Sequence, residues 1–360
     1  MTNILSDSSE NISVIKIIFL VSRKCEQNQD KNTLFVLYMK HERMIMALCG
    51  IDAVIFGVQD MEAALRFVRD WGLHEKSVMS DQIIFETRDG CEVIVKPVDA
   101  PDLPAAIERG NTVREVVWGA QDQAALDDTL ARLGDAVSIG ADGLARATDP
   151  NGLSLVFRVT QRQLVTGKPT MPNAPGAYHR IDTRGPVITQ ANPIQIGHIV
   201  LFGADFAAMR AFYTERLGFV VSDEYPGHGC FMRCQVKGGH HNLFVLNRPG
   251  KAGINHVAFT LNDIHEVVGG GLAMSRKGWK TEIGPGRHPI SSAYFWYFEN
   301  PLAAPLEYYA DEDYCTEAWE ARVWERRPEN FAEWAVAGGI DGETRRQKIG
   351  GQDSSRGHKK

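Results

Sequence analysis

Two histidines and a glutamate in the second half of the chain are the residues best suited to do chemistry. His198, His256 and Glu307 each lie in a short apolar segment that is typical of a strand. Two neutral imidazoles and one carboxylate on one face of a metal ion leave three adjacent coordination positions open, which suits non-haem Fe(II). Zinc accepts the same ligand types. The three residues therefore predict a metal site, with Fe(II) favoured and Mn(II) as an alternative.

The elements that must position these residues follow a pattern that repeats along the chain. Ile51–Val58 predicts a strand, and Asp60 predicts the start of a helix that ends at Gly72. Further strands follow, and the order βαβββ occurs twice before residue 160 and twice more between residues 193 and 311. The pattern predicts an α+β fold of two homologous domains, each made of paired βαβββ modules.

The predicted organisation has five parts. They are an N-terminal extension (1–48), a non-catalytic domain (49–160), a linker (161–192), a catalytic metal-binding domain (193–311) and a C-terminal helical tail (312–360). The linker carries four prolines and has no hydrophobic period. Within the tail, the segment 317–334 is predicted to be helical and the last sixteen residues to be disordered.

The first 48 residues leave two interpretations open. We expect a poorly packed extension, which could lie upstream of a natural start at Met44 or Met46. An additional strand or helix is the alternative. The apolar run from Ile12 to Val21 has ten residues and is too short to cross a bilayer. Asp7 and Glu10 precede it in place of the basic residues of a secretory signal.

An alignment of the two halves shows that only the second half carries metal-ligand residue types at all three positions. The segment from Ile51 aligns with the segment from Ile196, and the later strands align in the same way. The aligned pairs are His198 with Ala53, His256 with Glu115, and Glu307 with Val156. A structural role for any one of these histidines does not explain why three positions on three strands differ together. The comparison therefore favours a metal site in the second half alone.

Composition excludes several classes of function. The 360 residues carry a net charge of -6, so the chain lacks the basic surface that nucleic-acid binding requires. Apolar residues make up 44% and charged residues 23%, as in a globular protein that is not embedded in a membrane. Six scattered cysteines do not form the framework of a small secreted domain, so we expect thiols in a reducing cytoplasm.

A second group of residues stands at defined spacings from the three predicted ligands. In GGHHNLFVL, His241 is the second histidine of a pair and precedes His256 by fifteen residues. His288 follows a Gly-Arg pair, Tyr297 comes nine residues later, and Glu307 ten residues after that. With the paired modules, this pattern resembles the type I extradiol ring-cleavage dioxygenases of the vicinal oxygen chelate superfamily. The resemblance covers residues 51–311.

The resemblance implies a reaction and a role for each residue. The family uses O2 to open the ring of a catechol-type or trihydroxylated aromatic compound during aromatic catabolism, at an Fe(II) ion held by residues that match His198, His256 and Glu307. His241 would then act on the O2 side as a proton donor, while Tyr297 and His288 would hydrogen-bond the diol oxygens. The family also implies a homo-oligomer.

One local segment differs from the family, and the roles of two further residues stay open. Pro-Ile-Ser-Ser follows His288, where biphenyl-type enzymes carry Thr-Asn-Asp, so the ring substituents that fit are not predicted. Asn242 and Arg287 are candidates either for the pocket wall or for plain surface positions. His240 is expected to point away from the site, because neighbouring residues on a strand face opposite sides.

Two other functions within the same superfamily remain as alternatives. A glyoxalase-like isomerase typically uses four protein ligands, with a second carboxylate that this chain lacks in the aligned positions. A drug-binding protein of the bleomycin-resistance type lacks the metal ligands that this chain carries.

Overall fold

The computed structural model describes residues 48–340. The expectations for the N-terminal extension, for a start at Met44 or Met46 and for the last sixteen residues therefore concern segments outside the described residues.

The first half forms an eight-stranded mixed sheet with two helices. Its strands are β1 (Leu48–Val58), β2 (His74–Val78), β3 (Ile83–Glu86), β4 (Glu92–Pro97), β5 (Thr112–Ala120), β6 (Ser138–Ile139), β7 (Ala145–Thr148) and β8 (Ser154–Val159). Helix α1 (Met61–Asp70) follows β1, and α2 (Gln123–Leu133) follows β5. The strand order is β2-β3-β4-β1-β5-β8-β7-β6, which places the first strands of the two modules side by side at the centre.

The second half repeats this arrangement and extends it. The module strands are β9 (Gln195–Gly203), β10 (Val220–Tyr225), β11 (Gly229–Arg233), β13 (Leu243–Asn247), β14 (Gly253–Thr260), β15 (Thr281–Arg287), β16 (Tyr294–Phe298) and β17 (Leu306–Ala310). The short strand β12 (Gly238–Gly239) lies between β11 and β13 in the chain but outside the main sheet. Helix α3 (Phe206–Ala211), continued by a π-helical turn, follows β9, and α4 (Ile264–Arg276) follows β14. The predicted α+β fold with two domains of paired βαβββ modules is confirmed.

Each of these four helices begins at an aspartate that accepts a main-chain N–H three residues later. This cap satisfies one of the unpaired N–H groups of the first turn. The pairs are Asp60 with Ala63, Asp122 with Ala125, Asp205 with Ala208, and Asp263 with Glu266. The same local signal therefore starts the helix of every module, which is why the repeat is visible in the sequence.

The segment predicted as a C-terminal helix is not helical. It forms the short strands β18 (Tyr314–Cys315), β19 (Arg322–Val323) and β20 (Trp334–Ala337), with one four-residue helix, α5 (Pro328–Phe331). The indole N–H of Trp319 donates to Ser222 O and that of Trp324 to an Asp223 carboxylate oxygen, both at the edge of the second sheet. These tertiary contacts hold the segment extended against β10 and β15, so the helical prediction was wrong.

One aromatic stack joins the two halves behind the strand that carries Glu307. Trp71, at the end of α1, stacks on Tyr308 with ring centroids 3.7 Å apart. The Tyr308 hydroxyl also donates to Trp71 O at 2.7 Å. Both side chains are fully buried, with Phe259 and Phe298 packed edge-on against the indole.

Replacing this indole tests how much the stack contributes to folding. We expect Trp71→Ala to lower the free energy of unfolding by about 3–5 kcal/mol, because it leaves a cavity between the two halves. Urea denaturation followed by circular dichroism measures the change. Trp334→Ala is the matched control, since its side chain is 43% exposed, and the expected loss there is below about 1 kcal/mol. Equal losses in both variants would contradict a special contribution from the stack.

Candidate metal centre

Three adjacent strands of the second sheet bring His198, His256 and Glu307 together. His198 lies on β9, His256 on β14 and Glu307 on β17, and β14 pairs with both of the other strands. In that register Ala258 of β14 is the partner of both His198 and Glu307. Three side chains that are distant in sequence are therefore neighbours because their strands are neighbours.

The three donor atoms form a nearly equilateral triangle. Nε2 of His198 lies 3.2 Å from Nε2 of His256 and 3.1 Å from Oε2 of Glu307, and the last two atoms are 3.1 Å apart. An ion about 2.1 Å from each donor needs donor separations of about 3.0 Å for right-angled coordination and about 3.4 Å for a tetrahedron. The observed separations lie closer to three positions on one face of an octahedron.

Outer contacts orient one of the two imidazoles. Nδ1 of His256 lies 2.7 Å from Oδ1 of Asn255, and an amide oxygen only accepts, so Nδ1 carries the hydrogen and Nε2 has a free lone pair. Nδ1 of His198 is buried without a hydrogen-bond partner among residues 48–340.

Burial and charge favour the protonation states that a metal requires. Burial, and then the neighbouring His241, lower the pKa of His198 to about 3, so this imidazole is neutral near pH 7. Burial alone would raise the pKa of Glu307, but the neighbouring imidazoles of His198, His256 and His288 outweigh it and hold that pKa well below its ordinary range. A neutral imidazole at His198, a second imidazole at His256 and an ionised carboxylate at Glu307 form a donor set that fits a divalent cation.

Tyr297 and His288 lie on one side of the three donor atoms. Tyr297 on β16 is the register partner of Glu307, and its hydroxyl is 3.2 Å from Nε2 of His288. Nδ1 of His288 lies 2.6 Å from Phe331 O, which only accepts, so Nδ1 carries the hydrogen and Nε2 accepts from the tyrosine. Burial, and then the charge of Glu307, raise the pKa of Tyr297 well above its ordinary value.

His241 lies on another side, against the ring of His198. The two ring centroids are 4.1 Å apart. Burial, and then the neighbouring His240, lower the pKa of His241 well below its ordinary value. His240 does not line the cavity that opens at the donor atoms, as expected, but it is fully buried beside His241, with its Nδ1 3.2 Å from Nδ1 of that residue. The pair follows β12 and precedes β13, so the alternation of a strand does not apply there.

Glu312 is a neighbour of the site that the sequence did not point to. One of its oxygens accepts the main-chain N–H of His241 at 3.2 Å and lies 3.3 Å from Nδ1 of the same residue. Burial raises the pKa of Glu312 to about 7. His198, His241 and Glu312 also bring ligand-type atoms within 4.8 Å of one another. Glu312 lies just beyond the last module strand, where no spacing pattern marked it.

The donor atoms open into a cavity of about 580 Å³. His198, His241, His256, His288, Tyr297 and Glu307 all line it. Its other walls are mainly apolar, with one edge formed by the tail; they include Val200, Tyr225, Phe231, Phe244, Ile290 and Phe331. Asn242 and Arg287 do not line it. Asn242 bonds to Gly197 O and to the main-chain N–H of Cys234, while Arg287 pairs with Glu333.

The equivalent place in the first half is filled by apolar side chains. Ala53 on β1 pairs with Val117 on β5, which in turn pairs with Val156 on β8. This register matches that of β9, β14 and β17 residue for residue and so bears out the alignment of the two halves. Ala53, Val117 and Val156 pack in one apolar cluster, and Glu115 bonds to Arg146 and Ser154.

Residues 195–307 match the family model described as Glyoxalase/Bleomycin resistance protein/Dioxygenase superfamily, so the chain contains a domain of this superfamily. Metapyrocatechase 2 of Cupriavidus necator is 29% identical over 177 residues, which cover 48% of this chain and 55% of that protein. The matched part thus spans about half the length of this relative. Biphenyl-2,3-diol 1,2-dioxygenase of Pseudomonas sp. (strain KKS102) is 27% identical over 273 residues, covering 68% of this chain and 83% of the relative.

Solved structures share the fold. The Mn(II)-bound glyoxalase from Novosphingobium aromaticivorans superimposes with a TM-score of 0.64 at 24% identity, covering 81% of this chain and 92% of that one. Within residues 48–340, no helix combines the length and apolar character needed to cross a bilayer.

Removing one donor tests whether the triangle holds a metal ion. We expect His256→Ala to weaken divalent-metal affinity by more than about 100-fold, since even the outer partners of metal ligands typically contribute 10–100-fold. Competition with a colorimetric chelator measures the affinity for Fe(II) and Mn(II). His179→Ala, at an exposed position in the linker, is the control and should bind like the unmodified protein. Unchanged affinity in His256→Ala would rule out this site.

Proposed function

We propose that this protein is an Fe(II)-dependent extradiol dioxygenase, which uses O2 to cleave a catechol-type or trihydroxylated aromatic ring beside its diol. The observation that carries the proposal is the arrangement of three donor atoms on one face, opening into an apolar cavity between His241 on one side and Tyr297 with His288 on another. Mn(II) is the alternative ion. The relatives named as catechol and biphenyl-diol dioxygenases support the same class of reaction.

His198, His256 and Glu307 would hold the ion, and all three donors point to one position. When bound, such an ion lowers the pKa of a coordinated diol and brings the diol and O2 into the same coordination sphere. Because one carboxylate and two neutral imidazoles supply a single negative charge, a dication keeps a net positive charge there. This charge favours an anionic diol over a neutral one.

Tyr297 and His288 are placed to hydrogen-bond the oxygens of the diol. The Tyr297 hydroxyl donates to Nε2 of His288 at 3.2 Å. The contact of Nδ1 with Phe331 O fixes this direction of donation. The raised pKa of Tyr297 keeps its hydroxyl protonated near neutral pH. When a diol binds, this single hydrogen would turn from Nε2 of His288 to a diol oxygen that gains negative charge during ring opening, and Nε2 of His288 would then accept from a diol hydroxyl.

His241 is placed to move a proton beside His198. Its ring lies against His198 and lines the cavity, and burial keeps it neutral near pH 7. A neutral imidazole could accept a proton from the diol and return it to an oxygen atom derived from O2 when the O–O bond breaks. This role requires one ring nitrogen to face the cavity with a free lone pair.

The apolar walls suit a flat aromatic ring. Phe231 and Phe244 stack with centroids 3.8 Å apart, and Val200, Tyr225 and Ile290 complete the same cluster. An aromatic substrate would bury apolar surface against these side chains while its diol faces the three donors. The same walls exclude water, which strengthens the hydrogen bonds to the diol.

A substrate panel under air tests the function. We expect the Fe(II)-loaded protein to consume one O2 per ring cleaved and to form a yellow ring-opened product from catechol, 3-methylcatechol, 2,3-dihydroxybiphenyl or hydroxyquinol. Oxygen uptake and visible absorbance measure the reaction, and mass spectrometry locates the cleaved bond. Protein that binds Fe(II) but consumes no O2 with any of these diols would refute the proposal. Isomerisation of a glutathione hemithioacetal would instead support the glyoxalase-like alternative.

Removing one hydroxyl tests the diol contact. We expect Tyr297→Phe to lower kcat by about 100-fold, the usual size of one lost proton or hydrogen-bond donor, with unchanged metal content. Tyr294→Phe is the matched control: it lies on the same strand, its side chain packs near Trp334, and it does not line the cavity. Steady-state kinetics with the best diol give both values. A Tyr297→Phe enzyme as fast as Tyr294→Phe would remove Tyr297 from the mechanism.

A further inference from the structure

His241 is held by a small ribbon that lies outside the main sheet. Strand β12 (Gly238–Gly239) pairs with β18 (Tyr314–Cys315), so that Gly239 faces Tyr314. His241 follows the first strand and Glu312 precedes the second. The ribbon therefore brings the carboxylate of Glu312 against both the main chain and the ring of His241.

One oxygen of Glu312 faces two nitrogens of His241. Oε1 accepts the main-chain N–H at 3.2 Å and lies 3.3 Å from Nδ1 of the ring. Because an ionised carboxylate oxygen only accepts, the ring nitrogen beside it is favoured as the one that carries a hydrogen. Glu312 therefore favours the tautomer of His241 with Nδ1–H and with a free lone pair on Nε2.

The contact with His240 is compatible with the same tautomer. Nδ1 of His240 lies 3.2 Å from Nδ1 of His241, so one of these two atoms must carry the hydrogen that joins them. A hydrogen on Nδ1 of His241 leaves Nδ1 of His240 as the acceptor, while Nε2 of His240 is buried 3.4 Å from an oxygen of Asp223 without a hydrogen bond. Among residues 48–340 no hydrogen bond engages Nε2 of His241, which leaves this nitrogen for the cavity that His241 lines.

Gly239 makes room for the carboxylate. A Cβ atom at this position would lie 2.2 Å from Oε2 of Glu312 and 3.1 Å from its Cδ. A Cβ at the adjacent Gly238 would meet nothing within 4 Å. Gly239→Ala should therefore displace the Glu312 carboxylate, whereas Gly238→Ala adds the same methyl group and should leave the carboxylate in place.

We propose that Glu312 is a positioning residue that holds His241 as the Nδ1–H tautomer, with Nε2 facing the diol and O2. The inference rests on the proposed function, because that function assigns the proton transfer to His241. Glu312 is not among the residues that line the cavity, so it acts through His241 rather than on the substrate.

The test compares Gly239→Ala with Gly238→Ala, together with Glu312→Ala and Glu312→Gln. Full-length protein is labelled with 15N-histidine and loaded with diamagnetic zinc. Two-bond 1H–15N correlations then report the tautomer of His241, and the signals that disappear in His241→Gln identify that residue. We expect Nδ1–H in the unmodified protein, Gly238→Ala and Glu312→Gln, whose amide oxygen still accepts. Gly239→Ala and Glu312→Ala should shift towards Nε2–H.

The Fe(II)-loaded variants supply the second measurement. Gly239→Ala and Glu312→Ala should lose about 10–100-fold in kcat, as for other outer partners of a metal site, with little change in KM for the diol or in metal content. An Nε2–H tautomer in the unmodified protein, or unchanged tautomers in Gly239→Ala and Glu312→Ala, would overturn the proposal. Since the tautomer is read without turnover, absence of diol cleavage would count against the proposed function and leave the positioning test intact.

Discussion

The close approach of three donor atoms inside the second sheet is the constraint on which the rest of the site depends. Two imidazole nitrogens and a carboxylate oxygen lie 3.1–3.2 Å apart in a buried setting, where unpaired charge is costly. Burial keeps His198 available as a neutral ligand, and the register of β9, β14 and β17 sets the separation of the three donor atoms. A cation at the centre would satisfy all three at once. The same register in the first half brings Ala53, Val117 and Val156 together and produces an apolar core instead.

The tail and the short ribbon convert this donor triangle into an asymmetric site. Phe331 O, from the tail, determines which nitrogen of His288 faces Tyr297. Glu312, just after the last module strand, contacts His241 on another side. One hydrogen-bond donor, the Tyr297 hydroxyl, therefore lies on one side of the cavity, and His241, the proposed proton acceptor, lies on another. Segments that add little to the core of the fold thus set the chemistry that the donors can support.

Much of the fold and of the candidate site could be predicted, because both depend on residue types and spacings that are visible over short stretches of sequence. The aspartate caps, the apolar strands and their repetition gave the module order, and the alignment of the halves singled out His198, His256 and Glu307. The helix predicted over 317–334 failed, because the indoles of Trp319 and Trp324 bond to residues about a hundred positions earlier. His240 does not line the cavity, as predicted, but strand alternation is not the reason, because the structure leaves this segment outside any strand.

The sequence by itself determined the repeated architecture, the half that carries metal-ligand residue types and the spacings of His241, His288 and Tyr297. These properties depend on residue identity and on periods of a few residues. Only the tertiary structure decided which atoms meet: the triangle of donors, the tautomer of His288 and the place of Glu312 beside His241. Each of these depends on a contact between segments that are 43 to 109 residues apart, and no local pattern encodes such a contact.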